Sequence, residues 1–441
     1  MKSISLLAVA ALVAVAPAAM PAAAQPQPAA QAAQPVDARA VVAEVRRVIA
    51  ERYVLPERRP ALDAVLAEGL ASGRYETREP AVLAERINAD LERVGRDRHL
   101  NFSYNPQQAA IIANAQNQAA PDRSGYERQV RAANHGITEL RVLPGNIRYM
   151  AYDGFMWIGP ESAAALDNAM RFLAGGEAVI IDIRRNGGGS PDAVQYLVSH
   201  FMEANRPLVT FHMNGRPTPD RLSTLAELPA GRMVGKPLYV LTSGNSASAA
   251  EEFAGHIGGY RIGELIGETT AGAGFRNDLV AIPGGFVFSV SVGRAVLAST
   301  GRDWEAVGIV PTTAVPVAQA LEQAQVRALR RLSASAAPPE RARLEARATL
   351  LSAQLQPVST ALPLAAYAGR FGERTISVEN GRLALQRGDG PKLFMVPIGP
   401  NLFALEADAM TRVQYVVSGD SATGFELLRG DGSRVAATRT P

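Results

Sequence analysis

The segment Thr242-Ser243-Gly244-Asn245-Ser246-Ala247-Ser248-Ala249-Ala250-Glu251 holds the residues best placed for chemistry. An apolar run from Pro237 to Leu241 reads as a buried strand, followed by a tight Ser-Gly-Asn turn and a small-residue stretch that opens a helix. Ser248 then sits at a helix start, where unpaired backbone N–H groups point outward and the dipole favours negative charge. A serine nucleophile needs such a place, because the oxyanion it creates must be met by fixed donors. Ser248-x-x-Glu251 is also a capping box, which requires no catalysis. Both readings stand at this point.

A serine nucleophile needs a base. The chain has no cysteine, no His-Glu-x-x-His zinc motif and no Gly-x-Ser-x-Gly elbow, so thiol and zinc-peptidase chemistry are not called for. Beyond Lys2, lysine occurs only as Lys236, at the far end of the strand leading to Ser248, and Lys392, in the C-terminal part. A Ser–Lys pair is therefore not expected. Of the five histidines, His200 and His212 fall at far ends of core elements, and His256 lies two turns into the Ser248 helix. His135 and His99 remain, with His99 in Asp97-Arg98-His99-Leu100-Asn101, where a helix gives way to a strand. An isolated histidine of this kind can equally be structural. Asn186-Gly187-Gly188-Gly189 follows a strand and lets backbone N–H groups approach a ligand closely. Without the P-loop Lys-Ser/Thr pair it suits an oxyanion better than a phosphate, and a tight strand-to-helix turn is the plainer alternative.

The elements that must position these groups alternate. Residues 37–95 have helical periodicity, with Val41, Val45, Val48 and Ile49 on one face and Leu83, Ile87, Leu91 and Val94 on another. From His99 short strand-like and helix-like runs alternate: hairpins around Pro144-Gly145-Asn146 and Pro283-Gly284-Gly285, and buried strands at Ala178 to Ile183 and Leu238 to Leu241. Strand–loop–helix units in series predict an α/β core over 96–315. Two helical stretches within 316–356 are expected to lead away from it as a linker. Residues 357–441 read as a small all-β domain with turns such as Glu379-Asn380-Gly381.

Residues 1–24 have the positive start, apolar stretch and Ala22-Ala23-Ala24 cleavage site of a signal peptide, and 25–36 form a Pro/Ala/Gln-rich, disordered lead-in. A periplasmic or secreted mature protein without a stable membrane anchor is the expectation. The formal charge of +3 spreads over nearly equal acidic and basic counts, and no basic run interleaves with aromatics, so nucleic acid is not an expected partner. No cofactor or metal is called for, and the oligomeric state is not specified.

Ile181-Asp182-Ile183-Arg184-Arg185-Asn186-Gly187-Gly188-Gly189, about sixty residues before Thr242-Ser243-Gly244-Asn245-Ser246-Ala247-Ser248-Ala249-Ala250-Glu251, resembles the C-terminal-processing (tail-specific) serine peptidase family, which includes the tricorn protease core and the retinoid-binding-protein modules. The resemblance covers roughly 37–315. It implies a crotonase-like (ClpP-like) α/β protease core behind an N-terminal helical subdomain, with no PDZ domain in the short interval from Ser103 to Arg141. It places the nucleophile on Ser248, with Ser246 as runner-up. The processing branch has a lysine where Ala273 stands here, so the chain is more similar to the tricorn-like branch. That branch implies His99 as base and Glu305 as the group orienting it, with Arg98 where the pattern has a further serine. The implied oxyanion donors are the N–H of Ala249 and one of Gly187 or Gly188. The implied function is a serine endopeptidase acting on unfolded or loosely structured polypeptides. A non-catalytic module for apolar ligands and an esterase-type hydrolase are the alternatives.

Overall fold

A computed structural model describes residues 36–117 and 123–440; the expected signal peptide, and the lead-in up to its last residue, lie outside them. Asp37 opens the fold by accepting the N–H groups of Arg39 and Ala40, each at 3.1 Å, which caps helix α1 (Ala38–Arg52). Helices α2 (Arg59–Ala71) and α3 (Pro80–Gly95) follow. Helix α3 starts on a proline and stops at Arg96, whose φ of 45° turns the chain left-handed. The turn delivers Asp97 to His99 directly into β1 (Asn101–Tyr104). Helices α4 (Pro106–Asn117) and α5 (Ser124–Ala132) lead on to the core.

The core's first sheet is built from β2 (Ile137–Leu143), β3 (Ile147–Tyr152), β4 (Ala178–Asp182), β7 (Leu238–Thr242), β8 (Glu264–Gly267) and β11 (Thr313–Ala314), in the order β11-β8-β7-β4-β3-β2. All neighbours are parallel except β2, which forms an antiparallel hairpin with β3. Every residue of β4 and β7 is buried, as expected for central parallel strands covered on both faces. Helices α6 (Pro160–Ala174), α7 (Pro191–Ser199) and α8 (Ala249–Gly259) cover one face through Leu166, Met170, Leu197 and Phe253.

The other face is closed by α9 (Ala320–Ser335) and α10 (Pro338–Leu355), whose Leu329, Leu344 and Leu351 pack on Ile180, Tyr239 and Leu241. These helices do not lead away from the core. Leaving Ile180 and Leu241 on an uncovered face would expose apolar surface worth about 25 cal/mol per Å2.

The second sheet comprises β1, β5 (Pro207–Met213), β6 (Asp220–Ser223), β9 (Phe275–Ile282) and β10 (Phe286–Leu297), with long β10 pairing β1, β5 and β9. Helices α1 to α3 share one hydrophobic core with it, where Val45, Ile49, Leu62 and Leu91 meet Phe102, Phe286 and Phe288. Eight antiparallel strands spanning 369–438 then form a meander, and beyond its last strand the Thr440 N–H returns to Arg370 O at 2.8 Å. The chain is thus a mixed α/β protein with N-terminal helices and an all-antiparallel C-terminal β unit.

Phe288, on β10, is fully buried against the N-terminal helices. Phe288→Ala should cost about 3–5 kcal/mol of stability. Denaturant unfolding followed by circular dichroism checks this; a midpoint unchanged from wild type would contradict the shared core.

Candidate active site

Ser248 is the N-cap of α8, at φ 54° and ψ −116°. This is a backbone position that L-residues rarely adopt, and it costs of order 1–3 kcal/mol. Several buried groups impose it. Glu251, fully buried, accepts four hydrogen bonds: from the N–H of Ser248 at 2.9 Å, Ala273 at 2.7 Å and Gly272 at 2.6 Å, and from the Thr270 hydroxyl at 2.6 Å. Burial pushes its carboxyl above the usual range, and the four donors oppose that shift. The motif that reads as a capping box is therefore more than one: it ties the Ser248 turn to the 270–273 loop.

Asn186 is the second clamp. Fully buried, it accepts Ala247 N–H on its carbonyl at 3.0 Å and donates its side-chain amide to Tyr152 O at 2.7 Å. Its Oδ1 takes the Gly188 N–H at 2.9 Å. Of the two glycine amides expected to serve an oxyanion, that of Gly188 is thus already engaged. Gly188 stays close to the serine all the same: a Cβ there, at φ +108°, would lie 2.8 Å from Ser248 Cβ. Ala249 is the first residue of α8, where a backbone N–H has no acceptor within the helix.

Ser246 is fully buried, with its hydroxyl donated to Ile183 O at 2.8 Å while accepting Ser243 N–H at 3.0 Å. Ser248 instead lines a cavity of about 50 Å3, together with Gly189, Phe211, Glu252, Ala273, Gly274, Phe275 and Trp304 among others. Ala273, at the position of the processing branch's lysine, contributes only a methyl group to it. Lys236 is bonded to the carbonyls of Ala174 and Gly176, and Lys392 to Glu379.

His99 and Glu305, distant in sequence, lie side by side. One donor atom from each of Asp97, His99 and Glu305 lies within 4.8 Å of the other two. The loop carrying Glu305 is laced to the one carrying Ala273: Ala306 N–H donates to Gly272 O at 2.8 Å, and Trp304 Nε1 to Ala273 O at 3.1 Å. Glu305 accepts the N–H groups of Gly274 (2.6 Å), Phe275 (3.0 Å) and Arg98 (3.2 Å). Gly274 and Phe275 line the Ser248 cavity, so the carboxylate sits directly behind its wall. Arg98 meets Glu305 through its backbone. His99 is not itself a lining residue.

Asp97 was not singled out by sequence reasoning; its signal was Asp-x-His at a helix end. It is 6% exposed, and its Oδ1 accepts from His99 N–H (2.9 Å), Leu100 N–H (3.2 Å) and the Ser291 hydroxyl (3.0 Å). Burial and the Asp97 charge push the Glu305 carboxyl up to about 7, against its three backbone donors. Burial holds the His99 imidazole below its ordinary value, with Asp97 opposing, so the ring is neutral at pH 7. The remaining histidines are placed elsewhere: His135 Nδ1 bonds the Ser162 hydroxyl at 2.9 Å, His200 Nδ1 bonds Gly231 O at 2.7 Å, and His256 is buried beside Glu252.

A strained serine at a helix N-terminus, a glycine turn against it, and a His–carboxylate pair behind the cavity wall form a class of site suited to acyl transfer. Residues 146–315 match the model of peptidase family S41, and residues 35–133 match that of the N-terminal domain of this peptidase family in eukaryotic IRBP. The chain thus carries a peptidase family S41 domain preceded by a match to that family's N-terminal domain. The carboxy-terminal processing protease CtpB of Bacillus subtilis (strain 168) is 26% identical over 180 residues, which are 40% of this chain and 36% of that one. This chain therefore spans little more than a third of that relative's length. Among solved structures, the photosystem II D1 C-terminal processing protease aligns with a TM-score of 0.41 at 17% identity, covering 64% of this chain and 94% of its own. A putative peptidase from Parabacteroides merdae ATCC 43184 aligns with a TM-score of 0.45 at 18% identity, covering 63% and 90%.

Glu251→Gln replaces an acceptor by an NH2 group facing backbone N–H donors. It should lower stability by about 2–4 kcal/mol and loosen the Ser248 turn. Thermal unfolding and amide exchange at 270–273 test it; wild-type stability with unchanged protection would show that the carboxylate is not the clamp.

Proposed function

We propose that this protein is a serine endopeptidase that cleaves unfolded or loosely structured polypeptides through an acyl-enzyme on Ser248. The observation that carries the proposal is the forced turn at Ser248 facing a cavity, with Glu305 bonded to the back of its wall and His99 within 4.8 Å of Glu305. In this reading His99, neutral at working pH, takes the Ser248 proton as the hydroxyl attacks the scissile carbonyl. Glu305 then orients and stabilises the resulting imidazolium. The oxyanion is met by the N–H of Ala249, reinforced by the α8 dipole, and by that of Gly187. The protonated imidazole hands its proton to the leaving amine, and water releases the acyl group by the reverse steps. Recognition of substrate C-termini is not part of the proposal.

The cavity beside Ser248 has room for about three or four waters, which suits a small side chain in the residue before the cut. The signal-like sequence at 1–24 supports action in the periplasm or outside the cell, and no helix among the described residues is long and apolar enough to cross a membrane. Domain limits near 95, 315 and 356 are part of the proposal, with the 316–356 helices counted with the core they cover.

With casein as substrate, Ser248→Ala should lower cleavage by about 10³-fold or more. Equal cleavage by both proteins, read by mass spectrometry of released peptides, would exclude Ser248 as nucleophile. The pH profile carries a sign. The role given to Glu305 requires its ionised form, so kcat/KM should rise with pH through about 7. In Glu305→Gln the low-pH limb should instead be set by His99 and move to lower pH, with reduced kcat/KM. An unmoved midpoint would show that another group sets it. Stability runs oppositely. A carboxyl raised in the fold favours the native state fully below its unfolded value of 4.5 and loses that contribution as pH rises through about 7.

A further inference from the structure

We propose that Asp97, His99 and Glu305 form a binding site for one divalent transition-metal ion of the Zn2+ type, whose occupancy shuts off the Ser248 centre. The inhibitory part rests on the reading of His99 as the base; the binding part does not.

The donor set is one imidazole nitrogen and two carboxylate oxygens, all within 4.8 Å of one another. Zinc takes such nitrogen and oxygen ligands at about 2.0–2.2 Å, leaving water or a further group in the remaining position. Donors around such an ion stand about 3–3.5 Å from one another, so small side-chain rotations would bring this set together. Calcium and magnesium prefer oxygen-only shells with more ligands.

Two observations beyond proximity point to a cation. His99 Nδ1 and Asp97 Oδ2 are buried without a close hydrogen bond among the described residues, the buried Tyr53 hydroxyl being a neighbour of Asp97. Leaving such groups unmet is destabilising. They belong to residues whose placement is held through the main chain of His99: its N–H donates to Asp97 Oδ1 and its carbonyl accepts the Ser289 hydroxyl at 2.5 Å. Glu305 is oriented by its three backbone donors, and its carboxylate keeps acceptor capacity beyond them. Support of this kind around the ligands is what holds metal-binding side chains in position.

Charge argues the same way. The buried Asp97 carboxylate and the partly buried Glu305 carboxylate lie beside a neutral imidazole, and no cationic side chain bonds to either among the described residues. A divalent ion would neutralise both. His99 and Glu305 are only partly buried, which leaves the ion a way in. Once bound at the imidazole nitrogen that faces the carboxylates, the metal leaves the ring proton on the other nitrogen, the one that would have to accept the Ser248 proton, so hydrolysis stops until the ion is removed.

The test adds ZnCl2 to the Ser248→Ala protein in the presence of a chromophoric zinc chelator, so that binding is read without catalysis. The expected result is one zinc per chain at micromolar or tighter affinity, weakened about tenfold or more in Asp97→Asn and in His99→Ala. Circular dichroism confirms folding, and Glu305→Gln serves in place of either variant that fails to fold. In the wild type, zinc over the same range should abolish casein cleavage and EDTA should restore it. Absence of binding, or binding unchanged by these substitutions, overturns the site. Zinc binding with the expected dependence in a protein that cleaves nothing would sustain the site and sink the peptidase reading; cleavage without zinc binding would do the reverse.

Discussion

A single buried carboxylate holds the Ser248 turn together. Glu251 satisfies four donors from two separate loops, and in doing so keeps Ser248 in a backbone conformation that its own side chain disfavours. Hydrogen bonds to an ionised acceptor contribute about 1.5–3 kcal/mol each, enough together to offset a strained residue. Asn186 acts from the opposite side by gripping Ala247 and Gly188. The Ser248 geometry is thus a property of buried polar groups around it rather than of the serine itself.

The second constraint is the seam between the two sheets. Ser248 and Gly188 belong to loops of the parallel sheet. His99 enters from the N-terminal helices, and Glu305 from the segment after β10 of the other sheet. What keeps them in register is the shared core of α1 to α3 with β1, β9 and β10, together with the bonds between the 270–275 and 304–309 loops. A peptidase reading therefore makes the N-terminal helices part of the active centre's support.

Local features were legible in the sequence. The strand–turn–helix around Ser248, the glycine loop after β4 and the all-β C-terminal part follow from spacing and residue type. The meeting of His99 with Glu305 came only from the family resemblance, because their contact spans more than 200 residues of chain and no local pattern encodes it. Glu251 showed in sequence only the one bond a capping box would make, since its other three partners come from a loop about twenty residues on. The engagement of Gly188 by Asn186 was hidden because a side-chain amide can bond either way along its own turn. Helices α9 and α10 looked like a linker until the uncovered face of the parallel sheet showed what they must bury.

The most direct measurement is covalent. A serine-reactive phosphonate would be added to the full-length protein, and the labelled residue located by mass spectrometry, in the wild type and in His99→Ala. The account predicts a single adduct on Ser248 in the wild type, formed far more slowly when His99 is replaced. An adduct on Ser246, none at all, or an equal rate in both proteins would contradict it.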